Sequence, residues 1–321
     1  MHVPDHMLSD PTSVATGAVA CATLAYAAYR SRSDLTTRTV ALTAATGALV
    51  FALQMVNYPV ASGTSGHLMG GALAAALLGP WLGMISVTLV LVVQAVLFAD
   101  GGLTALGTNT LLMAVVGTAV GWLVARAVQR VRAGSSPDAR SAALAAGAGA
   151  LVSVPASALA FVGLFLAGGS AAVPAAELTA GMVGVHALIG LGEGLVTALV
   201  VAVVVAVAPG VARLDARPVT SAGTLSAHRR AVGAISAGAA LSAVGLSSFA
   251  ASAPDGLEAT AESLGFLDTA GLHALAGSPL ADYGASAGIF VGLAGALGVL
   301  AVAVLSGALL AVRNVRGAPA R

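Results

Sequence analysis

The sequence predicts an all-α, polytopic membrane helical bundle with about nine transmembrane helices, seven in a first unit and two in a second. Three observations carry that reading. Of 321 residues, 58% are hydrophobic and only 8% charged, against about 25% charged in an ordinary soluble domain. The mean hydropathy is +0.96. Apolar runs of about 18 residues or more, long enough to cross a bilayer, recur along the chain. A soluble enzyme or binding domain of this size could not cover its surface with so few charges. Disorder is excluded because it needs low hydrophobicity.

Nine apolar stretches are expected to be helical, near 12–30, 39–57, 67–80, 82–98, 106–126, 142–167, 181–208, 231–250 and 287–312. The third is short for a span of about 20 residues; it is expected either to tilt or to begin inside the protein rather than in lipid. Gly79–Pro80 breaks it from the fourth. Arg30, Arg32 and Arg38 follow the first span, Arg126, Arg130, Arg132 and Arg140 the fifth, Arg213, Arg217, Arg229 and Arg230 the seventh, and Arg313, Arg316 and Arg321 the ninth. Counting spans between these groups puts every arginine on one side. Positive residues mark the cytoplasm, so the N-terminus is expected outside and the C-terminus inside. Nine acids, from Asp5 and Asp10 through Asp100, Glu177 and Asp255 to Asp282, fall on the outer face; only Asp34, Asp138 and Asp215 fall inside, and Glu193 lies within a span. The opening Met1-His2-Val3-Pro4-Asp5-His6 has no basic residue, unlike a signal peptide, so the N-terminus is expected to survive, exposed outside.

A Pro-, Ser- and Arg-containing stretch at 209–230 divides the chain. Residues 1–208 read as one membrane domain, 209–230 as a cytoplasmic linker. Residues 231–321 read as a second domain with two spans and an acidic outer loop.

All 14 basic residues are arginine. Without lysine there is no Walker loop and no Schiff-base chemistry, so the chain cannot by itself be a P-loop ATPase. Cys21 is the only cysteine, which excludes an intrachain disulfide framework and a Cys-rich metal site; it is expected to be a small buried hydrophobe.

Few residues remain that can do chemistry. The Met1 amine, the next backbone nitrogen and the His2 imidazole can form fused chelate rings, giving three nitrogens in a plane with a fourth position open. Planar nitrogen sites favour Ni²⁺ or Cu²⁺. Against this, a histidine at the second position is most often only a histidine. His67 enters the third span among glycines, on the same face as His2; intramembrane imidazoles are rare and usually functional, although a hydrogen-bonded histidine at a helix start is the plain alternative. Gln54, Asn57, Gln94, Asn109, His186 and Glu193 are the other polar residues in spans. Asn57 is placed to support His67. His186 and Glu193, seven apart, share a helix face, and a charge in a span needs a partner. His6 and Met7 could touch an incoming metal, although a solvated outer loop is the plainer reading; His228 is expected to be solvated in the cytoplasmic loop, and His273 lies in the outer loop of the second unit with no evident partner.

These residues resemble a known family. Met1-His2-Val3-Pro4-Asp5, Leu8-Ser9, the stretch from Gln54-Met55-Val56-Asn57-Tyr58-Pro59 to Ser65-Gly66-His67, Leu78-Gly79-Pro80-Trp81, the run Gln94 to Gly107, and His186 to Glu193 are similar to the CbiM/NikM substrate-specific membrane components of energy-coupling-factor cobalt and nickel transporters. The resemblance covers about residues 1–208. The second domain resembles the small partner NikN, fused on, through Pro254-Asp255-Gly256-Leu257-Glu258 and Ser278-Pro279-Leu280-Ala281-Asp282-Tyr283. One departure is His6-Met7, where the family has Gly and an apolar or aromatic residue.

The resemblance implies a transport subunit rather than an enzyme, in a prokaryotic cell membrane, with no permanently bound cofactor and no nucleic-acid partner. It implies capture of Ni²⁺ or Co²⁺ by the Met1 amine, the His2 amide and imidazole, and the His67 imidazole. It also implies a transmembrane coupling partner and two cytoplasmic ATPases. Four planar nitrogens disfavour Mg²⁺ and Ca²⁺, which want oxygen, and Zn²⁺, which prefers a tetrahedron. The alternative is a stand-alone secondary transporter using His186 and Glu193 as a proton relay; a third possibility is a receptor that senses metal without moving it.

Overall fold

The computed structural model describes residues 1–61, 63–132, 139–217, 224–281 and 289–317. The expectations for Asp138, Asp282, Tyr283 and the side chains of Arg313, Arg316 and Arg321 lie outside the described residues. The chain is helical almost throughout: α1 (Asp10–Arg30), α2 (Thr37–Gln54), α3 (Gly71–Leu78), α4 (Pro80–Phe98), α5 (Leu106–Val131), α6 (Ala139–Gly168), α7 (Ala175–Val207), α8 (Thr224–Phe249), α9 (Gly256–Ser263) and α10 (Ile289–Gly317). Six of these, α4 to α8 and α10, are long and apolar enough to cross a membrane. Leu195, Leu199, Leu300 and Val304 point out of the bundle, as an apolar solvent requires.

Local chemistry sets the boundaries. Pro11 and Asp10 sit in the first turn of α1, where a missing N–H and a negative charge both suit the helix start. Thr36 and Thr39 close a capping box on α2. Pro80 opens α4 after Gly79, whose φ of 82 is left-handed.

The third stretch takes the second of its two alternatives and begins inside the protein, and one expectation, for Cys21, changes. Helix α3 has eight residues, all buried, about 12 Å of helix. Its lead-in, residues 67–70, is irregular, and Met69, Gly70 and His67 are buried within the protein. Non-helical backbone at this depth is stable only where protein covers it. A short antiparallel hairpin, β1 (Tyr58–Ala61) with β2 (Thr64–Gly66), precedes it. Gly63, at φ 78, lies in its turn. Cys21, in turn, is exposed on α1 rather than buried, because its helix face looks outward.

The two sequence units share their packing. Helices α8 and α10 lie on α2, in one core running from Leu49 and Phe51 to Ile235 and Val302. A second core gathers at the N-terminal end, where Met1, Val3, Met7 and Leu8 meet Phe161, Phe165, Leu257 and Phe266.

Helices α3, α5 and α6 cross at Ala72, Gly121 and Gly149. A Cβ on Gly121 would lie 2.6 Å from that of Ala72, and one on Gly149 would strike the Gly121 carbonyl. Overpacking such a crossing costs about 1–3 kcal/mol. Gly121→Val is expected to lower the thermal unfolding midpoint of the detergent-solubilised chain; an unchanged midpoint means the crossing is not tight.

Candidate metal centre

The first nine residues are threaded into the bundle rather than left free. Val3 is clamped on both backbone groups by one side chain: its N–H donates to Asn109 Oδ1 at 2.8 Å, and Asn109 Nδ2 donates to its carbonyl at 3.0 Å. Gly102 N–H adds a second donor to that carbonyl at 2.9 Å. Asp5 Oδ1 accepts from the backbone and hydroxyl of Thr104, both at 2.7 Å. Further along, Gly271 N–H donates to Asp5 O, Ser170 N–H to Met7 O, and Ser9 N–H to Gly168 O. Gly102 permits the approach, since a Cβ there would sit 2.7 Å from Asp5 Cα. His6 has φ 61. This explains the departure noted at that position: the backbone needs a left-handed residue, which glycine adopts freely and histidine at some cost.

These clamps deliver Met1 to the interior, with its side chain buried. The terminal amine lies 2.7 Å from His67 Nε2 and 2.9 Å from Asp255 Oδ2, and those two atoms are 3.5 Å apart. His67 Nδ1 donates to Leu68 O at 3.0 Å. A carbonyl can only accept, so the ring hydrogen is on Nδ1 and the Nε2 lone pair faces the amine. The His2 ring stacks on that of His67, centroids 5.0 Å apart and planes at 17°.

A polar relay sets the His2 tautomer in the same way. Gln54 Nε2 donates to Met69 O at 2.9 Å, Gln94 Nε2 to Gln54 Oε1 at 2.7 Å, and His2 Nε2 to Gln94 Oε1 at 3.3 Å. The chain of donors starts at a carbonyl, so His2 carries its hydrogen on Nε2 and leaves Nδ1 unprotonated, 3.3 Å from Asp100 Oδ1. The His2 backbone N–H has no hydrogen-bond partner among the described residues.

Burial pushes the His2 imidazole down to about 4, with Asp100 opposing. Burial alone would raise the Asp255 carboxyl; the terminal ammonium 2.9 Å away outweighs it and holds it well below the usual carboxylate range. A cavity of about 230 Å³ opens beside the site, with His2, Asp100, Asp255 and Glu258 among its lining residues. Its acidic wall favours cations.

Glu193 sits behind His67. Its two oxygens accept from the backbone of Met69 at 2.6 Å and Gly70 at 3.0 Å, which pins the irregular segment that carries the imidazole. His186 donates from Nδ1 to Met182 O at 2.7 Å, and its Nε2 is buried with no hydrogen-bond partner. Among the described residues no hydrogen bond joins His186 to Glu193. Among the described residues no hydrogen bond joins Asn57 to His67: the Asn57 carbonyl accepts from Ala251 N–H at 2.8 Å, and the partner of His67 Nδ1 is Leu68 O. In the sequence Asp255 is one of the outer-face acids and part of the Pro254–Glu258 motif, but no spacing rule connects it to Met1. No group of three or more His, Cys, Asp or Glu side chains converges among the described residues. The donor set is amine, imidazole and carboxylate.

The shifted His2 gives a pH dependence. The groups facing it are Asp100, His67, the terminal ammonium and Asp255. An undocked His2, titrating near 6.5, takes up a proton that the docked ring refuses until about pH 4. Docking of residues 1–9 is therefore strongest above about pH 6.5 and weakens as pH falls towards 4. Amide hydrogen exchange of this segment, corrected for intrinsic rates, should show protection falling across that window. Constant protection would mean that the docked ring is charged.

Comparison with known proteins adds an independent line. The model of the cobalt uptake substrate-specific transmembrane region, CbiM, matches residues 2–211. A putative fused nickel transport protein NikMN of Archaeoglobus fulgidus is 36% identical over 219 residues, 68% of this chain and 70% of that protein. A putative metal transport protein of Haloquadratum walsbyi is 36% identical over 62% of this chain and 87% of its own length. A crystal structure of a truncated transition metal transporter superposes with a TM-score of 0.54 at 31% identity, covering 63% of this chain and 96% of that one. With well over half of its length matched, the chain belongs to the CbiM family of substrate-specific transmembrane components, multi-pass membrane transport proteins rather than enzymes.

Proposed function

We propose that the chain is the substrate-binding membrane subunit of an energy-coupling-factor transporter that imports Ni²⁺ or Co²⁺. One observation carries the reading: a terminal amine held 2.7 Å from an unprotonated imidazole nitrogen inside a membrane protein. In a square plane with bonds of about 2.0 Å, neighbouring donors are about 2.8 Å apart. The amine and His67 Nε2 are at that spacing while a proton lies between them. A metal ion takes the proton's place. The remaining two nitrogens are the His2 amide, which has no hydrogen-bond partner among the described residues and binds once it has given up its hydrogen to solvent, and the unprotonated His2 Nδ1, brought in by a turn of the ring away from Asp100. The resulting plane rejects ions that want oxygen or a tetrahedron.

The topology we propose keeps the N-terminus outside and the C-terminus in the cytoplasm. Helices α1 and α2, of 21 and 18 residues, join the six helices α4 to α8 and α10 as spans. The third passage is made by the buried segment at 67–70 together with α3. The far end of α3 supports this: Leu77 O accepts from Arg213 N–H at 3.0 Å, on the arginine-bearing side. Residues 1–208 form the metal-binding domain and 231–321 the fused NikN-like domain. With no lysine in the chain, ATP hydrolysis belongs to partners, a transmembrane coupling protein and two ATPases. The relay reading has less support, because both Glu193 oxygens are committed to backbone amides.

Two measurements test this. Adding a few residues before Met1, or replacing His67 by Ala, is expected to abolish tight Ni²⁺ and Co²⁺ binding to the purified chain; equal binding by the native and extended forms defeats the reading. Glu193→Gln is expected to weaken metal binding about tenfold or more, since it loosens the segment that orients a ligand. A proton relay predicts the opposite pattern, binding retained and transport lost.

A further inference from the structure

The second unit reaches into the centre through a single carboxylate. Asp255 caps α9, and its two oxygens have different tasks. Oδ1 accepts from the N–H groups of Leu257 at 2.7 Å and Glu258 at 3.0 Å, while Glu258 Oε2 accepts from Asp255 N–H at 2.9 Å. The cap therefore consumes Oδ1 and leaves Oδ2 free to face the Met1 amine and His67 Nε2. The rest of the Pro-Asp-Gly-Leu-Glu motif fixes that aim. Pro254 O accepts from Ser65 N–H at 2.9 Å, two residues before His67. Gly256 lies against α7, where a Cβ would come within 2.9 Å of both His186 Cε1 and Val185 Cγ1. Leu257 is buried in the N-terminal core.

We infer that Asp255 Oδ2 is a further ligand of the transported metal, an oxygen donor that the C-terminal unit adds to the nitrogens of Met1, His2 and His67. The triangle of amine, Nε2 and Oδ2 has edges of 2.7, 2.9 and 3.5 Å. The circle through its corners has a radius of about 1.8 Å, less than a metal–nitrogen or metal–oxygen bond of about 2.0–2.2 Å. One cation placed just off that plane bonds all three atoms with no movement of the backbone. The ammonium protons it replaces leave to solvent through the acid-lined cavity. The inference rests on the proposed terminal-amine site and adds the apical position to it. The ion is then held by five donors: the four nitrogens keep their plane and Oδ2 caps it, so bound Ni²⁺ is square-pyramidal.

The test is X-ray absorption and equilibrium binding of Ni²⁺ on the purified full chain, with the native sequence, Asp255→Ser, Asp255→Asn and the N-terminally extended form compared. Serine and asparagine both keep an N-cap acceptor for α9, and hydrogen exchange at 256–263 verifies that the helix survives. Serine is too short to reach the amine, and asparagine keeps the shape but loses the charge. The native chain is expected to lack the sharp pre-edge feature of square-planar Ni²⁺. Asp255→Ser should gain that feature and bind Ni²⁺ tenfold or more weakly, with Asp255→Asn also weakened. If native and Asp255→Ser spectra coincide and affinities agree within twofold, Asp255 is only a counter-ion that the metal displaces and the inference is overturned; the amine site still stands provided the extended form fails to bind. If the extended form binds as well as the native, both fall together.

Discussion

The structure is organised around a terminal amine buried in a membrane protein. A charged group in such a place is costly unless it is paired, and the fold meets that cost with partners drawn from distant parts of the chain. His67 comes from the irregular segment before α3 and Asp255 from the cap of α9. Neither would be in reach unless residues 1–9 were held down. The Asn109 clamp on Val3, the Thr104 bonds to Asp5 and the backbone bonds to Gly168, Ser170 and Gly271 do that. The break in the third apolar stretch follows from the same constraint. A continuous helix there would bury its own backbone groups, whereas the open segment offers Met69 and Gly70 N–H to Glu193 and Met69 O to Gln54.

Two acids illustrate how a low-dielectric interior is used. Glu193 is in a span and needs a partner, and it finds two backbone amides rather than another side chain. A carboxylate so occupied is a brace on the segment that carries the neighbouring imidazole. Asp255 divides its oxygens, one for a helix cap and one for the site. The two acids look alike in composition and differ only in which donors their elements present.

Much of this was legible in the sequence, and the limits are physical. The long helices from α4 onward follow apolar runs, and their ends lie within seven residues of expectation; the larger misses extend the helices past the apolar core into polar flanks, where hydropathy gives no boundary. Met1, His2 and His67 could be picked out because nitrogen donors are few in so apolar a chain. Asn57 was assigned to His67 by proximity, yet the hairpin at 58–66 turns its carbonyl towards Ala251, and short irregular strands leave little hydrophobic pattern. The Gln54–Gln94 relay could be suspected only as isolated polar residues, since forty positions of sequence conceal a 2.7 Å hydrogen bond. Asp255 was invisible as a site residue because its partner is at the other end of the chain. The His6 departure became intelligible only with its φ of 61.

The distribution of the proposed donors over separate segments bears on release. A metal cage built on one rigid element holds its ion until that element unfolds. Here the amine belongs to a threaded N-terminal segment, His67 to a buried loop braced by Glu193, and Asp255 to a short capped helix tied to Ser65 through Pro254 O. None of the three carries the others by covalent rigidity; they meet through hydrogen bonds of ordinary length. Displacing any one by about an ångström breaks the bonding distance for that donor while the bundle stays folded. Helices α8 and α10, which lead to and from the α9 loop, pack on α2, the helix that ends at Gln54 and so reaches the His2 relay. A shift of α2 is thus mechanically connected to both the loop bearing Asp255 and the polar chain that orients His2, so the proposed coupling partner would have a route to the site through this helix without touching it.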